Sequence, residues 1–365
     1  MTGLAWTTPL GDDLDGVWRR LLDGASGLRA TPCGYPLRSP LAGTVPGPPG
    51  PATARQVDLA AATIRAAGER AGVDPADPAV RLVLGTSFGA ALDEPGPRLS
   101  NWAKQAARRV GHPSDPVCVS TACSAGSDSL LVAAQLIRGG AARVCIAGGV
   151  DVVTDAKRLG HSALGTMTAD RLRAFDVRHD GMIPGEGAAM LVLEPAAAAR
   201  DRGATVLATL RGTGSANDAA GLTAPDRTGD SVVLAVRRCL ADAGLNPTDV
   251  AVISAHATGT PVNDDVERAS LGRLFGAGTA PLVFATKGAL GHSMGATGAI
   301  EAVCVVLALR DGRVPPLVDV DTVMSDFPLP LAVGAARTFT GSVGLSLTIG
   351  FGGFNTCLLF ERARR

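Results

Sequence analysis

Four segments carry side chains that could do chemistry, and in each an apolar run gives way to small and glycine residues. Cys123 sits in VCVSTACSAGSDSLL, between a β-branched run over residues 117–122 and a helical stretch over residues 124–138 that Gly139-Gly140 stops. A thiol on a strand-to-helix turn faces unsatisfied N–H groups and the positive end of a helix dipole. That setting lowers a cysteine pKa from about 8.5 toward neutrality and favours a nucleophilic thiolate. Free cysteine is also among the most buried residue types, so these residues alone fit a structural thiol equally well. His256 ends an apolar strand in ISAHATGTPVNDDVE, Lys287 and His292 flank a glycine turn in KGALGHSMGATGAIEA, and GFGGFN places three glycines around Phe351. A lone strand-end histidine is more often structural than catalytic. Two of them, each at the C-terminal end of a strand, stand where open α/β sheets gather reactive groups.

The elements that must hold these residues alternate. Helices are predicted over residues 12–22, 53–72, 101–110, 124–138, 231–243, 264–275 and 295–310. Strands are predicted over 81–85, 117–122, 144–147, 189–194, 205–212, 250–255 and 281–286, with two more around a glycine turn in 341–360. Residues 31–51 and 87–100 read as loops, and a long polar segment holding His161, Arg171, Arg173, Asp176, Arg178 and His179 separates two strands. Such alternation means layered α/β structure. The halves also echo each other: Gly126 and Arg138 have the same separation as Gly298 and Arg310, each pair framing a small-residue helix after a turn.

Composition narrows the classes. The chain has 365 residues, 46% of them hydrophobic, with 34 Lys+Arg against 34 Asp+Glu, which allows a large core and argues against disorder. Zero net charge argues against a general nucleic-acid or membrane-surface binder. Seven cysteines without a CxxC pair, no bilayer-length apolar run and no targeting-type start lead to the expectation of a cytoplasmic enzyme without a metal site. Asp128-Ser129-Leu130, a tripeptide on which carrier proteins take phosphopantetheine, lies inside an apolar helix and reads as core. Cys118, Cys145, Cys239, Cys304 and Cys357 read as inert core thiols, and His112 and His179 as surface or hydrogen-bonding residues.

Together, TACSAG, HATGT, the K-x-x-x-G-H turn and GFGGFN resemble, in order and spacing, the β-ketoacyl synthase family of the thiolase fold. The resemblance runs from Gly3 to Leu359 and is nearest to free-standing type II polyketide ketosynthases, with fatty-acid ketosynthases beside them. It implies a five-layer α-β-α-β-α sandwich of two pseudo-symmetric halves, residues 1–205 carrying Cys123 and residues 206–365 carrying His256 and His292. By the same resemblance Cys123 takes an acyl chain as a thioester, and His256 with His292 assists decarboxylation of a carrier-bound malonyl unit. The backbone N–H groups of Cys123 and Phe351 form the oxyanion hole, while Thr258 and Thr260 bind the phosphopantetheine arm. Lys287, Asp264, Glu267 and Glu301 fall where the family keeps a buried charge network, with Lys287 and Glu301 expected to hold His292. No cofactor is bound on this reading, since the phosphopantetheine arm arrives on the acyl carrier protein. A homodimer is expected, or a heterodimer with a ketosynthase-like subunit, joined through the strand at residues 143–149.

Several departures bear on substrate. The opening strand reads as clipped, the segments 85–116 and 160–175 read as shortened, Ala257 replaces the usual glycine, and His179-Asp180-Gly181-Met182 replaces Arg-Asp-Gly-Phe. An unusual acyl pocket near Met182, Trp102 and the gate residue Phe351 is the resulting expectation, and the loop of His161 should approach it. Two other readings use the same residues: a non-elongating acyltransferase and a silent partner subunit. Two intact histidines argue against the first, and Cys123 argues against the second.

Overall fold

The computed structural model describes residues 1–48, 50–96, 98–276 and 280–363; Pro49 and Pro97, within two of the segments read as loops, lie outside the described residues. Ten strands build two sheets: β1 (Gly3–Thr7), β2 (Val80–Gly85), β3 (Val117–Val119), β4 (Val144–Asp151), β5 (Gly187–Leu193), β6 (Ala208–Asn217), β7 (Val252–Ser254), β8 (Leu282–Phe284), β9 (Val343–Ile349) and β10 (Phe354–Arg362). The first sheet has the order β3-β2-β4-β5-β1 and the second β8-β7-β9-β10-β6. In both, the first three strands are parallel and the last two join antiparallel. Read in chain order, β1–β5 and β6–β10 thus trace the same path twice.

Among the described residues eight helices are nine or more residues long: α1 (Leu14–Leu22), α2 (Ala52–Ala71), α3 (Asn101–Arg109), α4 (Ala125–Arg138), α5 (Asp155–Ala163), α6 (Asp230–Ala243), α7 (Pro261–Phe275) and α8 (Thr297–Asp311). α2 packs on the first sheet with α3 against it, α6 packs on the second sheet with α7 against it, and α4 lies with α8 between the sheets. The result is the thiolase-like five-layer α-β-α-β-α sandwich. α8 shows why the middle layer must be apolar nearly all round: Thr297 through Leu309 are all buried, and Glu301 is the one charged residue among them. The two central helices meet at the glycines of the sequence echo. A Cβ on Gly126 would stand 2.8 Å from the Ala299 nitrogen, and one on Gly298 would stand 2.8 Å from the Ser127 nitrogen, so only glycine permits this approach.

Several expectations change. β1 pairs residue for residue with Ala188–Val192, so the five residues of the opening strand form one edge of the first sheet. The strand expected at 205–212 begins and ends later, as β6. The polar segment conceals α5, capped by Thr154, whose hydroxyl accepts from the Lys157 backbone N–H. Its inward positions are Lys157 and Arg158, so the apolar period that marks a helix is missing. Asp151 neutralises Lys157, while the carbonyls of Pro32 and Pro40 take the Arg158 guanidinium. Residues 143–149 fall largely within β4, which is flanked by β2 and β5 and has no free edge to offer a second subunit. The open edges of this sheet are β3, with Val117 exposed, and β1. Among the described residues no helix is long and apolar enough to cross a membrane.

Candidate active site

β3 and β8 occupy equivalent places in the two sheets, and the chain leaving each delivers one half of the site. After β3, a turn of 3₁₀ helix (Ala122–Ser124) carries Cys123 to the start of α4. After β8, a short helix (Lys287–Leu290) and a second 3₁₀ turn (Met294–Ala296) carry His292 to the start of α8. The loop after β7 contributes His256. A left-handed residue other than glycine stands within two positions of each: Ala122 (φ 49°), Ala257 (φ 48°) and Met294 (φ 47°). Left-handed backbone costs an L-residue about 1–2 kcal/mol, so the surrounding packing holds all three turns against their local preference.

The three side chains converge on one cavity of about 250 Å³, lined by Cys123, His256 and His292 together with Met182, Thr258, Thr260 and Phe351. His292 Nε2 lies 3.1 Å from Cys123 Sγ, and the two imidazoles meet edge to face with centroids 5.3 Å apart. Trp102 does not join them. It is buried on α3 in the core that α2 and α3 share with the first sheet, and it is not one of the cavity's lining residues.

The hydrogen bonds assign the tautomers. The Met294 backbone N–H donates to His292 Nδ1 at 3.3 Å, so that nitrogen is an acceptor and Nε2 carries the proton toward sulfur. Thr297 Oγ1, 3.0 Å from the same nitrogen, fixes the ring plane. The Lys287 ammonium stands 3.2 Å from His256 Nδ1, donates to the His256 carbonyl, and reaches Glu301 at 2.5 Å. An ammonium can only donate, so His256 also accepts on Nδ1 and carries its proton on Nε2. Lys287 and Glu301 therefore brace His256, whereas Met294 and Thr297 hold His292; this corrects the expectation that the pair serves His292. Burial, reinforced by Lys287, pushes both imidazoles well below the usual histidine range and keeps them neutral.

The carboxylates of α7 hold backbone. Glu267 accepts from the N–H groups of His256 (2.6 Å) and Ala257 (2.7 Å), and Asp264 from those of Gly259 (3.1 Å) and Phe175 (2.8 Å). Asp264 also meets His179 at 3.1 Å. Burial lifts Glu267 to about 8 and Glu301 to about 7. Cys123 is also lifted, to about 11, because its burial outweighs the Phe351 backbone N–H that donates to it and the positive charge of Lys287. The resting thiol is thus neutral, contrary to the lowering expected from its place before a helix.

Other expectations meet their residues directly. Ser129 and Leu130 are buried within α4, and Asp128 takes the Thr121 and Thr356 hydroxyls. Cys145, Cys239, Cys304 and Cys357 are buried; Cys118 is half-buried. His112 bonds the Pro75 carbonyl, and His161 lines the cavity. Sequence reasoning missed Thr297, Met294 and Asp151. Asp151 accepts from the backbone N–H groups of Ser87 (2.9 Å) and Gly295 (3.0 Å), tying the turn after His292 to the first sheet. Its one signal was a carboxylate ending an otherwise apolar strand.

A cysteine and two neutral imidazoles thus face one cavity between two like halves of a thiolase-like sandwich. Residues 1–199 match the N-terminal domain and residues 207–321 the C-terminal domain of the beta-ketoacyl synthases, and the chain belongs to that family. It is 36% identical over 250 residues to 3-oxoacyl-[acyl-carrier-protein] synthase 2 of Mycobacterium tuberculosis and 34% identical over 248 residues to that of Mycobacterium leprae. The matched stretches cover 66% of this chain and 60% and 59% of those relatives, so it spans less than two thirds of their length. Among solved structures, the ishigamide ketosynthase/chain length factor superposes with a TM-score of 0.92 at 28% identity, over 100% of this chain and 98% of that one. A beta-ketoacyl synthase from Burkholderia phymatum superposes with a TM-score of 0.89 at 27% identity, over 100% and 99%.

Proposed function

We propose that this chain catalyses decarboxylative Claisen condensation of a Cys123-bound acyl chain with a malonyl unit on an acyl carrier protein, in type II polyketide or fatty-acid-like biosynthesis. The observation that carries this reading is the convergence of Cys123 Sγ with two neutral imidazoles, each bearing its proton on Nε2, in one cavity. In the first half-reaction, Cys123 sulfur attacks the carrier thioester. A new S–C bond forms, the carrier thiol leaves with the cysteine proton, and the backbone N–H groups of Cys123 and Phe351 take the charge on the carbonyl oxygen. The Nε2–H of His292 and the dipole of α4 offset the burial of the thiolate as it forms.

In the second half-reaction the malonyl carboxylate leaves as CO2. Its electron pair moves into an enolate whose oxygen receives the Nε2–H groups of His256 and His292. The enolate carbon attacks the Cys123 thioester, and the cysteine thiolate departs and takes up one proton. Thr258 and Thr260, whose hydroxyls meet at 2.8 Å on the cavity wall, suit the amide groups of the phosphopantetheine arm that the carrier supplies. The names of the relatives support a carrier partner, and a second ketosynthase-like subunit, identical or not, would complete the sheet at β3. Two donors for an enolate favour elongation over simple acyl transfer, which needs only one. Intact-protein mass spectrometry with acyl- and malonyl-loaded carriers tests this. An acyl adduct absent from Cys123→Ala, with a carrier-bound chain grown by two carbons, is the expected result; an adduct without growth would replace the reading by acyl transfer.

A further inference from the structure

His161 is a third histidine on the wall of the same cavity, and the condensation has no task for it. It comes from α5, and Leu164, Gly165 and Thr166, which follow that helix, line the cavity with it. Its ring lies 5.7 Å from that of Phe351, tilted by 42°, so it borders the space beside the oxyanion donors. One edge of the ring is fixed. Nδ1 lies 2.9 Å from Thr166 Oγ1, and that oxygen lies 3.2 Å from the His161 carbonyl. A hydroxyl has one proton, and both contacts become hydrogen bonds only if Thr166 gives it to the carbonyl and accepts Nδ1–H from the ring. Nε2 is then a lone pair with no partner among the described residues. Burial and the nearby Lys157 hold the imidazole down to about 4, so it stays unprotonated at neutral pH.

We infer that His161 is a specificity residue that accepts a hydrogen bond from a hydroxyl on the acyl chain, so the pocket selects hydroxylated acyl chains over saturated ones of equal length. This rests on the proposed ketosynthase reading and names its substrate class. A lone pair in an apolar wall is desolvated by a saturated chain and satisfied by a hydroxyl, and this asymmetry creates the discrimination. It also implies a place in sequence: a reaction that reduces a β-keto group to a hydroxyl must supply the substrate.

The test measures acylation of Cys123 from pantetheine thioesters in matched pairs, butyryl against 3-hydroxybutyryl and hexanoyl against 5-hydroxyhexanoyl, for wild type, His161→Phe and His161→Gln. The wild type is expected to favour the hydroxylated member of at least one pair by about fivefold, the worth of one hydrogen bond. His161→Phe should abolish or reverse that ratio, and His161→Gln, whose amide oxygen can still accept, should keep part of it. The ratio is internal to each variant, so partial misfolding does not affect it. A saturated preference in the wild type, or the same ratio in wild type and His161→Phe, overturns the assignment while leaving the ketosynthase reading intact. No adduct with any thioester or carrier overturns both.

Discussion

Replacing Lys287 by methionine should separate the two proposed half-reactions. The change removes the ammonium from Glu301 at 2.5 Å, from the His256 carbonyl, and from His256 Nδ1 at 3.2 Å. Without that donor the His256 ring can place its proton on Nδ1, and Nε2 then offers a lone pair to an oxygen that is gaining negative charge. One lost donor of this kind costs about 2.7–4 kcal/mol, or roughly 10²–10³ in rate. His292 keeps Met294 and Thr297, so acylation of Cys123 should fall by less than about tenfold, the worth of an ordinary hydrogen bond. Single-turnover mass spectrometry follows the acylation, and CO2 release from malonyl carrier follows the decarboxylation. Equal losses in the two would refute the assignment of Lys287 to His256.

Stability supplies a second readout on the same variant. Breaking a buried ion pair costs about 3–5 kcal/mol when the remaining charge persists. Glu301 already sits near 7 against an ordinary 4.5, because burial outweighs the attraction of Lys287. Its folded-state pKa is the higher one, so the folded protein binds the extra proton between those values and loses stability as pH rises from about 4.5 to 7. Without Lys287 the upper limit moves higher still. The melting temperature of Lys287→Met should therefore fall further below wild type at pH 8 than at pH 5. Adding Glu301→Gln should restore much of the stability and none of the decarboxylation.

Four further outcomes follow from the same geometry. Alkylation of Cys123 by iodoacetamide should rise about tenfold per pH unit from 6 to 9 without levelling, because burial places the thiol near 11; a plateau near pH 7 would restore the helix-dipole expectation. Ala257→Gly should raise unfolding free energy by about 0.5–1 kcal/mol in a denaturant titration, the relief of a left-handed alanine less the added chain entropy; a loss would show that its backbone is unstrained. Trp102→Ala should destabilise the protein by about 3–5 kcal/mol and leave the acyl chain-length profile unchanged. Met182→Trp, on the cavity wall, should shorten the longest chain accepted; the reverse pattern would return Trp102 to the pocket.

The sequence by itself determined the layered architecture, the repeat of its halves and the identities of Cys123, His256 and His292. Each of these is written locally, as apolar runs ending in small-residue turns and as glycines where two central helices must touch. Tertiary structure alone decided how those residues are tuned. Lys287 shares a turn with His292 yet serves His256, because β7 and β8 are parallel neighbours and the chains leaving them emerge side by side. The rise in the Cys123 pKa depends on desolvation by segments far apart in the chain, which a helix-start motif does not encode. α5 was hidden because its buried face is made of Lys157 and Arg158, whose partners Asp151, Pro32 and Pro40 lie on other segments. Turns and periods follow from neighbours in sequence, whereas burial, tautomer and charge follow from neighbours in space.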